Sequence, residues 1–296
     1  MRRDQNDVMR PTLSLVVPTR HGWPAVEPLV TAMLPELRDV EGELVVVGLG
    51  NGPDPKPPAG VRAIPVSDDD MLRLRLRAVR EARGSIVAIG EDHSLPARGW
   101  WKAVLRAHAE HPTSPAIVGC LVNDANQSAS GRANFIAFAG PYIPPMPAVP
   151  NWRPPPLATL SLKREVLSAL DDRPGSLDGL ANRLFEEGQM VADDGIVIHH
   201  DQDLGVAGSI RNAYTVTRAA YGYSVDRLEP GRRRELVRWV VTHLPQMVWR
   251  MGRARQPPTP RRQAELAIVA AMATANAAGA VVGSIAGHGK APERYE

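Results

Sequence analysis

The sequence has a single cysteine, Cys120, among 296 residues. One cysteine cannot form an intramolecular disulfide or build a cysteine-rich zinc site, which excludes disulfide scaffolds and zinc fingers. Aromatic residues are only 5% of the chain, too few for platforms that stack single-stranded nucleic acid. The net charge of +3 is also too small to indicate nucleic-acid binding. We therefore expect no nucleic-acid partner and a reducing, cytoplasmic environment.

The N-terminal residues, Met1 to Met9, lack the long apolar stretch of a secretory signal peptide, so we expect no cleaved leader. Hydrophobic residues make up 44% of the chain and charged residues 23%, which is ordinary for a globular protein. A chain of this length can bury a sizeable core. We expect one large domain with appended segments.

Short apolar runs alternate with helical patterns over residues 1–140. Strands are predicted at 13–17, 43–47, 61–66, 85–89 and 116–121, and helices at 24–37, 70–83 and 99–111. This alternation indicates an α/β fold with a mostly parallel sheet and helices on both faces. Ligands bind such sheets at the carboxyl ends of the strands, which places residues 18–20, 48–52 and 91–93 along one edge.

Prolines between residues 141 and 156 exclude a regular element there. Beyond them, helices are predicted at 162–170, 176–187 and 206–222, and a strand at 195–198. A Trp-bearing amphipathic helix is predicted at 232–252 and an apolar helix at 261–287. We therefore divide the chain into a domain at 1–225, with halves at 1–140 and 141–225, and a helical extension at 226–296.

The most informative local feature is Glu91-Asp92-His93, which directly follows the fourth predicted strand. Carboxylates are ligands suited to Mg²⁺ or Mn²⁺, and imidazole also accepts Mn²⁺. Such an ion bridges a diphosphate and stabilises the charge of a departing group. The alternative is a solvated turn whose acids cap the next helix. These three residues alone leave both interpretations open.

The flanks of this motif resemble family 2 glycosyltransferases, which have a GT-A fold. Residues 83–100 combine a helix end, an apolar strand, the acidic triplet, a proline and a Gly-Trp pair, and residues 15–20 are similar to that family's first strand and Pro-Thr turn. The resemblance extends over residues 12–220. It implies a GT-A domain at 1–225, with a nucleotide-sugar-binding half at 1–140 and an acceptor-side half at 141–225. It also implies transfer of a sugar, with inversion, from a nucleotide-sugar to an acceptor hydroxyl.

The resemblance further implies how the donor is bound. Pro18, Thr19 and Arg20 correspond to the turn near the base and ribose, and Arg75 and Glu91 are expected to bind the donor as well. In this family the second strand usually ends in an aspartate that contacts the nucleoside, whereas Gly48 stands here. A UDP-sugar is our guess for the donor.

The metal ligands and the catalytic base also follow from the resemblance. Asp92 and His93 occupy the family's Asp-x-Asp region and would hold Mn²⁺ or Mg²⁺. Consecutive strand residues point to opposite faces, so one of two adjacent histidines faces the site, and we choose His199 over His200. Asp178, ahead of an Arg-Leu pair and a glycine, corresponds to the family's catalytic base.

Residues 266–287 contain no charged residue and are long enough to span a bilayer. They are rich in Ala and Gly, so we expect a packed or interfacial helix at the cytoplasmic face of a membrane. A lipid-linked acceptor is one hypothesis, and neither the acceptor nor the oligomeric state is assigned. Two other functions remain open: a non-catalytic or degenerate nucleotide-sugar-binding protein, and a metal-dependent nucleotidyltransferase or hydrolase using Glu91, Asp92, His199 and Asp201.

Overall fold

The computed structural model describes residues 11–48, 56–67, 70–123, 128–150, 154–200, 202–225 and 261–294. Within these ranges the strands are β1 (Leu13–Pro18), β2 (Gly42–Val47), β3 (Val61–Ile64), β4 (Ile86–Ile89), β5 (Ser94–Pro96), β6 (Ala116–Val122), β7 (Leu160–Lys163) and β8 (Met190–His200). The helices are α1 (Trp23–Leu37), α2 (Met71–Glu81), α3 (Trp100–Glu110), α4 (Ala129–Ala139), α5 (Ser176–Glu186), α6 (Gly205–Val225) and α7 (Arg262–Ala286).

The strands form one sheet in the order β3-β2-β1-β4-β7-β6-β8-β5. Strands β3, β2, β1 and β4 run parallel to one another, and β6 runs parallel to β8. Strand β7 is antiparallel to both of its neighbours, and the edge strand β5 is antiparallel to β8. The predicted α/β fold class, with a mostly parallel sheet, flanking helices and a C-terminal helix, is confirmed.

Strand β1 shows why the sheet is covered on both faces, since all six of its residues are buried. Leu15 packs into a core with helices α1 and α3, whereas Val16 packs into a second core with α2 and α5. Successive strand side chains point to opposite faces, so a strand between two helical layers is apolar throughout. The continuous apolar runs of the sequence therefore correspond to the central strands.

Strand β7 differs from the sequence prediction, which places a helix at 162–170. The segment is a strand followed by a 3₁₀ helix at Arg164–Ala169. Strand β7 lies between β4 and β6 and hydrogen-bonds to both, so its backbone groups are satisfied on two sides. Tertiary pairing thus overrides the local helical pattern. Helix α4 and strand β5 also had not been predicted.

Helix α7 packs against α4 and α6. Arg132 of α4 donates to the buried carboxylate of Glu265 at 2.9 Å, and Thr217 of α6 donates to Asn276 at 2.6 Å. Among the described helices, α7 alone has the length and apolar composition to cross a membrane, and 33% of its apolar window is buried. Membrane contact remains a prediction. The amphipathic helix predicted at 232–252 lies outside the described residues.

Candidate active site

The predicted site edge forms where parallel strands β1 and β4 end side by side. Pro18 is the last residue of β1, Thr19 and Arg20 follow it, and Glu91-Asp92-His93 lie just beyond β4. The Thr19 hydroxyl donates to Oδ2 of Asp92 at 2.7 Å, which links the two turns. The edge thus brings the Pro-Thr turn and the acidic triplet into direct contact.

Three side chains at this edge could hold a metal ion: Glu91, His93 and His200. One potential ligand atom of each lies within 4.8 Å of the other two. Oε1 of Glu91 accepts from Arg75 at 3.0 Å, while Oε2 lies 3.5 Å from Nε2 of His93 and 3.9 Å from Nε2 of His200. One oxygen of the Glu91 carboxylate therefore faces the guanidinium of Arg75, and the other faces the imidazoles of His93 and His200.

The chemistry of this group fits a divalent ion. Within the described parts of the chain, Oε2 of Glu91 and Nε2 of His200 are buried and have no hydrogen-bond partner. A buried polar atom without a partner costs about 1–3 kcal/mol. An ion bound by both atoms would remove that cost. A carboxylate oxygen and two imidazole nitrogens are the ligands that Mn²⁺ and related metals accept.

The histidine that lies beside Glu91 and His93 is His200, whereas the sequence analysis had chosen His199. In the pairing of β5 with β8, His200 lies opposite Ser94 and His199 opposite Leu95, so their side chains point to opposite faces. His200 is 2% exposed and stacks on Phe138, with ring centroids 4.6 Å apart. The ring of His93 meets it edge-on at 4.9 Å.

Burial and neighbouring charges set the protonation states. Burial, aided by the nearby charge of His93, lowers the pKa of His200 to about 4, so its imidazole is neutral and able to bind a metal at neutral pH. Burial lowers the pKa of His93 too, but the Asp92 hydrogen bond and the Glu91 charge outweigh it and raise the pKa overall. Burial raises the pKa of Asp92, but hydrogen bonds from His93 and Thr19 bring it below its ordinary value.

Arg75 differs from the other arginines of α2. Its side chain is 15% exposed and pairs with Glu91, whereas those of Arg73 and Arg77 are 59% and 56% exposed and pair with Asp70 and Glu81, at the two ends of the same helix. The helix is fixed at its start by Asp70, whose side chain accepts from the backbone N–H groups of residues 72 and 73. Arg75 is therefore turned into the site.

Two pockets meet at this group of residues. The first, which we name the His21 pocket, has a volume of about 420 Å³ and is lined by Pro18, His21, Met71 and Asp203 among others. The second, which we name the Asp178 pocket, has a volume of about 190 Å³ and is lined by His200 and side chains of α4, α5 and α6. Both pockets are lined by Arg75, Glu91, His93 and Gln202. The potential metal ligands thus lie where two bound molecules would meet.

Most of the other residues predicted for the site lie in or beside the two pockets, but Arg20 does not line either of them. Pro18 lines the His21 pocket, Thr19 contacts Asp92, and Asp178 lies in the second pocket. Arg20 instead donates to the backbone oxygen of Glu293 at 2.7 Å, which directs it toward the C-terminal segment. The pocket residues of α4 and α6 had not been predicted: helix α4 has no sequence prediction, and the helix predicted at 206–222 had no residue assigned to the site.

Gly48 explains why the usual aspartate is missing after β2. Its φ is +103°, and a Cβ atom built there would lie 2.2 Å from the backbone oxygen of Thr19. Any side chain at this position would displace the Pro-Thr turn. Position 48 therefore requires a glycine in this protein, whereas the family 2 glycosyltransferases that the sequence resembles usually have an aspartate there.

We expect Gly48→Ala to lower the free energy of unfolding by about 3 kcal/mol, because it adds a backbone clash to an unfavourable φ. Gly60→Ala is the matched control, since Gly60 has a φ of +97° but its added Cβ would meet only side-chain atoms at 3.5 Å and beyond. It should cost about 1 kcal/mol. Urea denaturation of both variants measures the difference, and equal losses would contradict the proposed contact with Thr19.

The fold and the site together define an α/β protein with a candidate divalent-metal centre between two pockets. No protein-family model and no curated protein matches the sequence. Solved structures of other proteins are similar to this chain. The mannosyltransferase PcManGT from Pyrobaculum calidifontis, in complex with GDP-Man and Mn²⁺, is 18% identical with a TM-score of 0.47, and the match covers 94% of this chain and 75% of that one.

A second similar structure is S. aureus TarS 1–349 in complex with UDP. It is 12% identical with a TM-score of 0.41, and the match covers 92% of this chain and 90% of that one. Another crystal structure of S. aureus TarS 1–349 has a TM-score of 0.40 at 12% identity. Similarity at this level does not assign an activity to this chain.

Proposed function

We propose that this chain is a metal-dependent, inverting glycosyltransferase of the family 2 type, which transfers a sugar from a nucleotide-sugar to an acceptor hydroxyl. One observation carries the proposal. The unpartnered atoms of Glu91 and His200 lie, together with His93, between a pocket that begins at Pro18 and a pocket that contains Asp178. A group-transfer enzyme needs this arrangement, because donor and acceptor must meet at the reacting atom.

In the proposed reaction the nucleotide-sugar occupies the His21 pocket and the acceptor occupies the Asp178 pocket. The acceptor oxygen forms a bond to the anomeric carbon as the bond from that carbon to the diphosphate oxygen breaks. Asp178 takes the proton of the attacking hydroxyl, and the nucleoside diphosphate leaves. A single displacement of this kind inverts the configuration at the anomeric carbon.

Glu91, His93 and His200 would hold the divalent ion, which would supply positive charge to the departing diphosphate. Asp92 would position His93, since the two side chains are 3.0 Å apart. Arg75 adds a second positive charge, paired with Glu91 at 3.0 Å. Two imidazoles and one carboxylate suit Mn²⁺ better than Mg²⁺, which prefers oxygen ligands. We therefore propose Mn²⁺.

Calorimetric titration tests the proposal. UDP and GDP are titrated into the wild-type protein with Mn²⁺, with Mg²⁺ and with EDTA, and UDP- and GDP-sugars are then followed for slow release of nucleoside diphosphate. We expect at least one nucleotide to bind only with metal, more tightly with Mn²⁺, and its sugar to be hydrolysed. Metal-independent binding, or no binding of any nucleotide, would overturn the proposal. Release of a nucleoside monophosphate would instead favour a nucleotidyltransferase or hydrolase.

A further inference from the structure

The Asp178 pocket has a distinctive polar lining. Besides the potential metal ligands, its lining includes four residues that carry side-chain amides, on three helices and a loop: Asn134, Asn182, Gln202 and Asn212. The apolar part of the lining includes Phe138, Leu157 and Val216. Arg75 is paired with Glu91. Among the described residues that line this pocket there is no lysine and no second arginine.

A side-chain amide offers both a hydrogen-bond donor and an acceptor, as a hydroxyl group does. Several amides around one pocket therefore match a molecule that carries several hydroxyls. The amide of Asn134 is buried and donates to Oε1 of Gln202 at 3.1 Å, so these two groups are held in a fixed relative orientation. The apolar side chains would contact the C–H surface of the same molecule.

Arg75, His93 and the proposed ion lie at the junction of the two pockets, whereas Asp178 lines the Asp178 pocket alone, so an anionic group beside Asp178 would be repelled. Asp178 lies in the lining and Glu91 at the junction with the His21 pocket. Phosphates and carboxylates are recognised by Arg and Lys, with bidentate geometry where Arg is used. A like charge in such a partly buried site is repelled more strongly than in water. The small volume, about 190 Å³, is also below the 300 Å³ at which pockets for drug-sized ligands begin.

We propose that the acceptor presents an uncharged, polyhydroxylated ring, the size of one sugar residue, whose hydroxyls are bound by these side-chain amides. This inference rests on the proposed transferase function. It excludes phosphorylated and carboxylated sugars as the residue that receives the transferred group.

The test uses the donor that shows metal-dependent hydrolysis, and follows release of nucleoside diphosphate by the wild-type protein. Neutral p-nitrophenyl pyranosides are compared with their 6-phosphates and with the corresponding uronic acids. We expect at least one neutral pyranoside to raise the release rate more than tenfold above hydrolysis and to form a disaccharide product. Its charged derivatives should give less than a tenth of that stimulation. Equal or greater stimulation by the charged compounds would overturn the inference.

A charge-addition variant then tests whether the amides set this preference. Asn182 is exposed at the mouth of the pocket on α5, so Asn182→Lys introduces a cation without disturbing the core. It should raise kcat/KM for the 6-phosphate relative to the neutral pyranoside by about tenfold. Gln189→Lys is the matched control, because it makes the same chemical change at an exposed position that follows the helix. An unchanged ratio in Asn182→Lys would contradict the assignment.

The two proposals fail in different ways. If the wild-type protein neither binds nucleotide with metal nor hydrolyses a donor, the transferase function itself is wrong. If it hydrolyses a donor but neutral pyranosides do not stimulate release, only the acceptor assignment is wrong.

Discussion

His200→Ala is expected to weaken Mn²⁺-dependent nucleotide binding by about 100-fold or more. Loss of a group that merely supports a metal ligand costs 10–100-fold in metal affinity, and loss of a ligand should cost at least as much. Without the imidazole, the ion would be held by Glu91 and His93 alone. Calorimetry with UDP or GDP at saturating Mn²⁺, repeated over a range of Mn²⁺ concentrations, measures the change. Without metal, neither the variant nor the wild-type protein should bind nucleotide.

His199→Ala is the matched control, because it removes the same side chain one residue earlier on β8. Its binding should stay within about threefold of wild type, since His199 and His200 point to opposite faces of the strand. His200 also stacks on Phe138, so thermal unfolding of both variants must show that the fold is retained. A larger loss in His199→Ala than in His200→Ala would restore the choice made from the sequence.

The choice between the two histidines shows what the sequence can and cannot predict. An apolar strand that ends in His199-His200 predicts that one of them faces the site. Which one does so depends on the register of β8 against β5, and β5 is a three-residue edge strand with no signal of its own. The register places His200 opposite Ser94, on the side of Glu91. The local sequence pattern therefore predicted a strand that ends in two histidines, but not which histidine faces the site.

The donor-side edge was easier to predict, because it follows from a general property of parallel sheets. Strands β1 and β4 are neighbours, so the residues after Pro18 and after Ile89 had to meet, and Thr19 bonds to Asp92. The inward position of Arg75 could also be predicted from the helical spacing of the sequence. It lies three and four residues from the buried Leu72 and Val79, on the inner face of α2.

The Asp178 pocket could not be assembled from the sequence in the same way. Its amides come from α4, α5, α6 and a loop, which are far apart in the chain. Helix α4 has no clear amphipathic pattern, because it is buried on most of its surface. The proposed acceptor thus follows from tertiary packing, whereas the proposed reaction type follows from the resemblance of local motifs.

Asp178→Asn is expected to lower kcat for sugar transfer by about 10²–10⁴-fold, the contribution of a general base. The amide keeps the size of the side chain and still occupies the first turn of α5, but it cannot take a proton from the acceptor hydroxyl. Asp178 lies in the pocket away from Pro18 and His21, so the Mn²⁺-dependent affinity for nucleotide should change by less than about twofold. Disaccharide formation at saturating acceptor measures kcat, and calorimetry measures affinity.

Glu186→Gln is the control for this variant, since it makes the same chemical change on an exposed acid at the end of the same helix. It should transfer sugar at the wild-type rate. A loss of transfer in Asp178→Asn with nucleotide binding retained would separate a base from a structural acid, because a disturbed helix would weaken both properties. Equal losses in transfer and nucleotide binding would mean that Asp178 positions the site, and full activity would mean that another group takes the proton. The variant therefore distinguishes a catalytic carboxylate from one whose role is to stabilise the start of α5.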